Sequence, residues 1–279
     1  MKTILITGAS DGIGAEAARQ LASKGHRLLI TGRSREKLEA VALETGAKAF
    51  VADFSKFSDV RKLALEVKAE LNGSGLDVLA NNAGGIFGDP KKTVDGNEQT
   101  IQINHLSPFL LTELLIPDLL KAKNGASVIN TSSIAHRLFG KIDLLDLNND
   151  KKLSANKAYG DAKLANILHA KGIQARYGSR GISTVSFHPG AVATNFASET
   201  TSIMRFFYHT PLKNLNLISC QTGGATLAWL IEGTPGVTWK IDAYYDQRKL
   251  STKLNPQVFD ESIINGLWEK SEKLVNLKS

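Results

Sequence analysis

"ILITGASDGIG", residues 4–14, decides how this chain is read. Ile4, Leu5 and Ile6 form an apolar run fit for a buried strand, and a glycine-rich turn follows it. Gly8-Ala9-Ser10-Asp11-Gly12 satisfies G-x-S-x-G, the elbow that presents a serine nucleophile in a hydrolase. The same residues, continued through Ile13 to Gly14, spell G-x-x-x-G-x-G, a turn able to hold a phosphate at a helix N-terminus. Both readings place a turn between a strand and a helix. The rest of the chain separates them.

Strand-like apolar runs at 2–7, 27–31, 47–52, 76–81, 126–131 and 181–187 alternate with helical patterns near 12–24, 35–44, 57–72, 97–121 and 156–177. Several runs are apolar enough to be buried on both faces. The alternation predicts an α/β fold, a Rossmann-type doubly wound parallel sheet with helices on both faces. A late strand near 239–245 and a last helix near 257–275 complete it. No repeat, linker or low-complexity tract interrupts residues 1–279, so a single domain is expected. Residues 1–125 read as its dinucleotide-binding half and 126–279 as the half with the reactive residues. The least regular stretch, 195–220, carries Phe196, Ile203, Met204, Phe206, Phe207 and Tyr208 and reads as a partly apolar lid.

Composition narrows the function. Hydrophobic residues at 42% and charged ones at 22% describe an ordinary globular protein. Against 27 Asp and Glu stand 34 Lys and Arg, a net charge of +7. The basic residues are scattered, which argues for an anionic cofactor and against nucleic acid. One cysteine, Cys220, excludes an intrachain disulfide and a cysteine-built metal cluster; no metal is expected. The first strand starts within a few residues of Met1, leaving no room for a targeting peptide, and no apolar stretch approaches the roughly 18 residues of a membrane span. A cytoplasmic protein is expected.

The hydrolase reading fares poorly. An elbow serine needs an upstream loop for its oxyanion hole, and the turn comes too early in the chain to have one. The cradle fits better: Gly8 suits a sharp exit from the strand, Gly12 and Gly14 clear the way for a pyrophosphate, and Ser10 adds a hydroxyl.

Further along, "NNAG" at 81–84 closes the fourth strand and "VINTSS" at 128–133 ends the fifth in two serines. Tyr159-Gly-Asp-Ala-Lys163 is a Y-x-x-x-K, Asn104 lies in "IQINHLSPFLL", and "HPGAVAT" at 188–194 follows the sixth strand. In this order the chain resembles the short-chain dehydrogenase/reductase family to about residue 245. "FDESIINGLWEKSEKLV" and the long stretch between the serines and the tyrosine resemble its retinol dehydrogenase and WW-domain oxidoreductase branch.

The chemistry also follows from the residues. Hydride transfer to a carbonyl leaves an alkoxide that needs a proton. Tyr159 can donate one, but a free phenol has a pKa near roughly 10. Lys163, one helical turn away on the same face, is expected to lower it. A serine at the strand end would fix the substrate oxygen; the resemblance makes it Ser133 rather than Ser132. It also gives Asn104 the role of holding a water that links the lysine to solvent.

Where the resemblance places an acidic residue for NAD, this chain has Gly32 and then Arg33, whose guanidinium suits a 2′-phosphate. NADP(H) is therefore expected over NAD(H), with Asp11 standing against it. By resemblance, Asp53 and Phe54 meet the adenine, Asn82, Ala83 and Gly84 its ribose, and Pro189, Gly190, Val192 and Thr194 the nicotinamide and diphosphate. The expected substrate is a hydrophobic aldehyde or ketone, or its alcohol. The competing reading is a catalytically silent redox sensor that binds the nucleotide and a partner. Whether the chain forms a homo-oligomer stays open.

Overall fold

Ile4, Leu5 and Ile6 of β1 (Thr3–Thr7) are fully buried. Successive side chains on a strand point to opposite faces, so one run must feed two cores. Leu5 joins Leu29, Leu79 and Val128 in one, while Ile4 and Ile6 join Ile30, Val78, Ala80 and Ile129 in the other. Burial on both sides is what a parallel sheet covered by helices requires. The structure, a computed structural model, describes residues 1–88, 91–151, 154–190 and 218–277. Val192, Thr194 and nearly all of the expected lid lie outside the described residues.

The sheet continues through β2 (Arg27–Gly32), β3 (Lys48–Val51), β4 (Val78–Asn81), β5 (Ala126–Thr131), β6 (Ile182–His188) and β7 (Ala243–Asp246), all parallel, and ends in the antiparallel β8 (Lys249–Leu250). Its order is β3-β2-β1-β4-β5-β6-β7-β8. One core lies under α1 (Gly12–Ala22) and α2 (Arg35–Thr45). The other lies under α3 (Phe57–Leu71) and the helices of residues 107–119, 155–177 and 261–274. The helix expected over 97–121 is three pieces in line: α4 (Gln99–Ile101), a π-helical stretch Gln102–Leu106, and α5 (Ser107–Leu119). After β5 come the short α6 (Ala135–Leu138) and the long α7 (Ala155–Tyr177).

Among the described residues the pattern missed the single-turn α6 and a longer helix, α8 (Cys220–Glu232). Gly223-Gly224 in its first turns weakens a helical reading, since glycine is a poor helix former. Its packing explains it: a Cβ on Gly224 would lie 2.5 Å from Glu16 Cβ and 3.0 Å from Ala17 N, so the glycine lets α8 press directly onto α1. Cys220 thus begins a helix rather than ending a lid. The late strand is also shorter than expected, because Trp239 turns under α8 and donates to Leu230 O at 3.0 Å.

The last helix, α9 (Glu261–Leu274), lies across α7. Trp268 fills the contact against Phe109, ring centroids 5.0 Å apart, beneath the Arg176 guanidinium at 4.1 Å. Gly172 permits this, since a Cβ there would lie 2.6 Å from the indole. Trp268→Ala is expected to cost about 3–5 kcal/mol, the usual price of emptying an aromatic site in a core. A urea titration with an unshifted midpoint would refute it.

Candidate active site

The strand order reverses between β1 and β4, and ligands of such sheets bind in the crevice beyond the strand ends there. The glycine turn and the N-N-A-G segment meet at that point. Thr7 Oγ1 accepts from the N–H groups of Asn82 and Ala83, both at 2.9 Å, and Asn82 Nδ2 donates to Thr7 O at 3.0 Å. Gly8 has φ +66°, and a Cβ on it would lie 2.7 Å from Ala83 Cα. A Cβ on Gly14 would strike the Gly8 carbonyl and lie 2.8 Å from Asn82 Nδ2. Gly14, expected to clear the way for a pyrophosphate, is therefore demanded first by the chain's own packing. The N–H groups of Ile13 and Gly14 lie in the first turn of α1, where no carbonyl of the helix receives them. That cradle, with positive φ at Gly8 and Gly12, fits a diphosphate.

Asp11 caps α1 by accepting from Gly12 N at 2.7 Å, and its other oxygen pairs with Lys37 Nζ at 2.7 Å. Its charge, expected to oppose a 2′-phosphate, is met by a lysine. At the end of β2, a Cβ on Gly32 would lie 2.7 Å from Ser10 Cβ and Oγ, so an acidic side chain there would displace Ser10. Arg33 is exposed on the same edge. Asp53 turns one oxygen to Ser55 N at 2.9 Å, and Phe54 is buried in the core.

Asn104 sits in the π-helical stretch and is fully buried. Its side chain clasps Gly85, accepting from Gly85 N at 3.1 Å and donating to Gly85 O at 2.9 Å, and also donates to Thr100 O at 2.9 Å. These bonds occupy both amide protons, so the group fastens a loop. Gly84 leaves room there, since a Cβ on it would collide with Asn104 Oδ1 and lie 3.2 Å from Lys163 Nζ.

Beyond β5 the two serines take different partners. Ser132 Oγ donates to Lys163 O at 2.7 Å and lies on the Tyr244 side. Ser133 Oγ accepts from Ala135 N at 3.3 Å, and the Ser133 side chain faces the Tyr159 phenol, whose ionised form it favours. Tyr159 is buried among Ile86 and Ala135, with Ile134 and Phe139 beside it. Lys163 Nζ lies 5.5 Å from the Tyr159 ring centre and 3.4 Å from Thr131 O.

Burial, not the lysine, dominates the charges. It pushes the Tyr159 phenol up to about 12, with the Ser133 hydrogen bond acting the other way, and drives the Lys163 ammonium down to about 7. Desolvation favours both neutral forms, and it outweighs the lowering of Tyr159 expected from Lys163. His136 and His188 are driven to about 4 for the same reason.

Of the remaining expected residues, Pro189 and Gly190 leave β6, and Gly190 has φ +102° with Ile218 packed against it. Sequence reasoning passed over Lys37, His136, Asp161 and Tyr244. Asp161 lies inside the Y-x-x-x-K itself; it accepts from Lys141 N at 2.7 Å and pairs with Lys157, tying the long 139–150 stretch to α7. Lys37, one helical turn after Arg33, was equally open to notice.

Comparison with known proteins agrees with this arrangement. The family model described as short chain dehydrogenase matches residues 2–204. Retinol dehydrogenase 11 of Homo sapiens is 38% identical over 288 residues, covering 99% of this chain and 86% of that protein. A Streptomyces sp. (strain C5) protein provisionally named a daunorubicin C-13 ketoreductase is 37% identical over 281 residues, covering 98% and 92%. An uncharacterized protein from Mycobacterium paratuberculosis, known by its crystal structure, superposes with a TM-score of 0.75 at 30% identity over 99% of this chain and 94% of that one. Two-sided burial, the crevice between β1 and β4, the serine–tyrosine pair and these matches meet in one conclusion: the chain belongs to the short chain dehydrogenase family, on its retinol dehydrogenase-like branch, and is an oxidoreductase of the carbonyl–alcohol type.

Proposed function

We propose that the chain is an NADP(H)-dependent oxidoreductase that interconverts a hydrophobic aldehyde or ketone and its alcohol, with Tyr159 as general acid–base. The Ser133 side chain facing the buried Tyr159 phenol, with Lys163 one turn further along α7 and its Nζ 5.5 Å from the Tyr159 ring centre, carries this reading. A bound nicotinamide supplies hydride. The chain's own residues manage the oxygen. Ser133 and Tyr159 converge on a point where a carbonyl oxygen can accept from both, and charge grows on that oxygen as hydride arrives. Tyr159, pushed up to about 12, is fully protonated at neutral pH and is therefore ready for the reducing direction. A charged Lys163 would stabilise the phenolate left behind, while Asn104 keeps Gly85 and the lysine's surroundings in place.

The residues that would hold the dinucleotide lie along the crevice. Gly8, Ser10, Gly12, Ile13 and Gly14 take the diphosphate, Arg33 and Lys37 the 2′-phosphate, Asp53, Asn82, Ala83 and Gly84 the adenosine, and Pro189 and Gly190 the nicotinamide end. The apolar wall of Ile86, Ile134, Ala135 and Phe139 supports a hydrophobic substrate. Such a substrate agrees in kind with the names of the retinol dehydrogenase and ketoreductase relatives. Among the described residues no helix is long and apolar enough to cross a membrane. A lone cysteine, Cys220, suits a reducing compartment, and the cytoplasm is the location this reading takes.

NADPH oxidation against a panel of hydrophobic carbonyls tests the activity. Tyr159→Phe is expected to lower kcat by about 10²–10⁴-fold with cofactor binding retained. Undiminished turnover would remove Tyr159 as the acid. Wild-type protein is expected to bind NADPH more tightly than NADH, and Arg33→Ala to weaken NADPH roughly 10- to 100-fold, the worth of a charge-assisted contact, with little effect on NADH. Tighter NADH binding by the wild type would overturn the cofactor choice.

Lys163 gives a linkage. Its pKa of about 7 in the free protein must rise when an anionic ligand comes near, so binding takes up a proton and weakens as pH climbs through that range. Calorimetric titrations in buffers of different ionisation enthalpy should show the uptake above neutral pH, and Lys163→Met should abolish it. Equal uptake in both proteins would disprove the assignment to Lys163.

A further inference from the structure

We propose that His136 is a positioning residue for Ser133, acting through its ring Nδ1–H on the serine's own carbonyl. This rests on Ser133 and Tyr159 being the pair that receives the substrate oxygen. The His136 ring nitrogen lies 2.6 Å from Ser133 O, and the His136 backbone N–H reaches the same oxygen at 3.0 Å. A carbonyl oxygen only accepts, so Nδ1 carries the proton. On the hydroxyl side, Ala135 N–H donates to Ser133 Oγ at 3.3 Å. Ser133 is therefore gripped at its carbonyl and at its hydroxyl oxygen, which leaves its O–H proton free to be donated elsewhere.

The surroundings keep the ring in that role. His136 is 1% exposed and stands edge-on to Tyr244, ring centres 4.9 Å apart. Ser132, whose side chain neighbours Tyr244, donates to Lys163 O at 2.7 Å. Asn255 Nδ2 ties the backbone down from below, donating to His136 O at 3.0 Å and Gly140 O at 2.8 Å. Nε2 is buried and has no partner among the described residues, as suits the bare nitrogen of a neutral ring. An apolar side chain could fill the same space against Tyr244, but it would leave the Ser133 carbonyl with one donor instead of two. The imidazole thus supplies direction as well as volume.

Two substitutions of similar size separate these effects. His136→Asn keeps a donor near the Nδ1 position, and His136→Leu has the same branching without one. Measured with NADPH and a reducible carbonyl, His136→Leu is expected to lose about 10-fold or more in kcat, the scale of a small misplacement of a reacting group, and His136→Asn to recover most of it. The NADPH dissociation constant should be unchanged in both. Equal losses in the two variants would mean that packing alone is responsible, and full activity in His136→Leu would mean that Ser133 needs no such hold; either overturns the proposal. Nitrogen-15 NMR of wild-type imidazoles reads the same point without a variant. A neutral Nδ1–H ring at His136 is expected, and an Nε2–H tautomer there contradicts the proposal. Failure of the catalytic reading is seen separately, as full turnover in Tyr159→Phe.

Discussion

Helix α7 is stitched to the carboxyl end of β5 by three buried hydrogen bonds, and the candidate site exists only while that seam holds. Ser132 Oγ donates to Lys163 O at 2.7 Å, Asn166 Nδ2 to Thr131 O at 3.0 Å, and Asn130 Nδ2 to Asn166 O at 2.9 Å. Each acceptor keeps a second partner, the next helical N–H for Lys163 O and Asn166 O and Lys163 Nζ for Thr131 O, so losing one donor costs about 0.5–1.5 kcal/mol. Apolar contacts between a helix and a sheet tolerate sliding; these directional bonds do not. A slip of one turn moves the helix by about 5.4 Å, which would carry the Tyr159 hydroxyl away from Ser133. The same seam brings Lys163 Nζ to 3.4 Å from Thr131 O, so strand end, tyrosine and lysine share one register.

How much of this the sequence discloses depends on how local each cause is. The runs at 2–7 and 126–131 declare buried strands because a doubly covered strand must be apolar throughout, and β1 and β5 lie within those bounds. The Y-x-x-x-K spacing likewise places two side chains on one helix face before any fold is known. Non-local causes are hidden. Gly223-Gly224 argues against a helix until Glu16 and Ala17 are seen pressing on Gly224. "QINHL" continues the helical pattern on either side of it, and nothing in its spelling announces a π-helical stretch. That Ser132 turns its hydroxyl to Lys163 O, thirty-one residues further along, is equally absent from the spelling of the serine pair.

Glycines teach a related lesson. In the opening turn they look like a ligand's imprint, yet Gly8 and Gly14 are already required by Ala83 and Asn82. A backbone folded tightly enough to exclude those side chains also leaves the N–H groups of Ile13 and Gly14 without a helical acceptor, donors that an anion could complete. Packing and binding are therefore not rival explanations of the motif. The compact turn creates the unmet donors, and the unmet donors make the anion site.

The site also sorts its charges by solvent. Asp11, Arg33 and Lys37 stand on a wet edge, where an exposed pair such as Lys37 with Asp11 is worth about 0–1 kcal/mol and can be rearranged at little cost. Tyr159 and Lys163 stand at dry strand ends, where burial favours the neutral phenol and the neutral amine. Charge in the dry zone must then come with an anionic ligand, whose field favours the lysine's ammonium and, through it, the phenolate. Charges at the wet edge can draw that ligand in. A lysine in open solvent would keep its charge at all times, but its field at the phenol would be screened. Burial makes the lysine's charge conditional on the ligand and lets that charge act strongly once it is there.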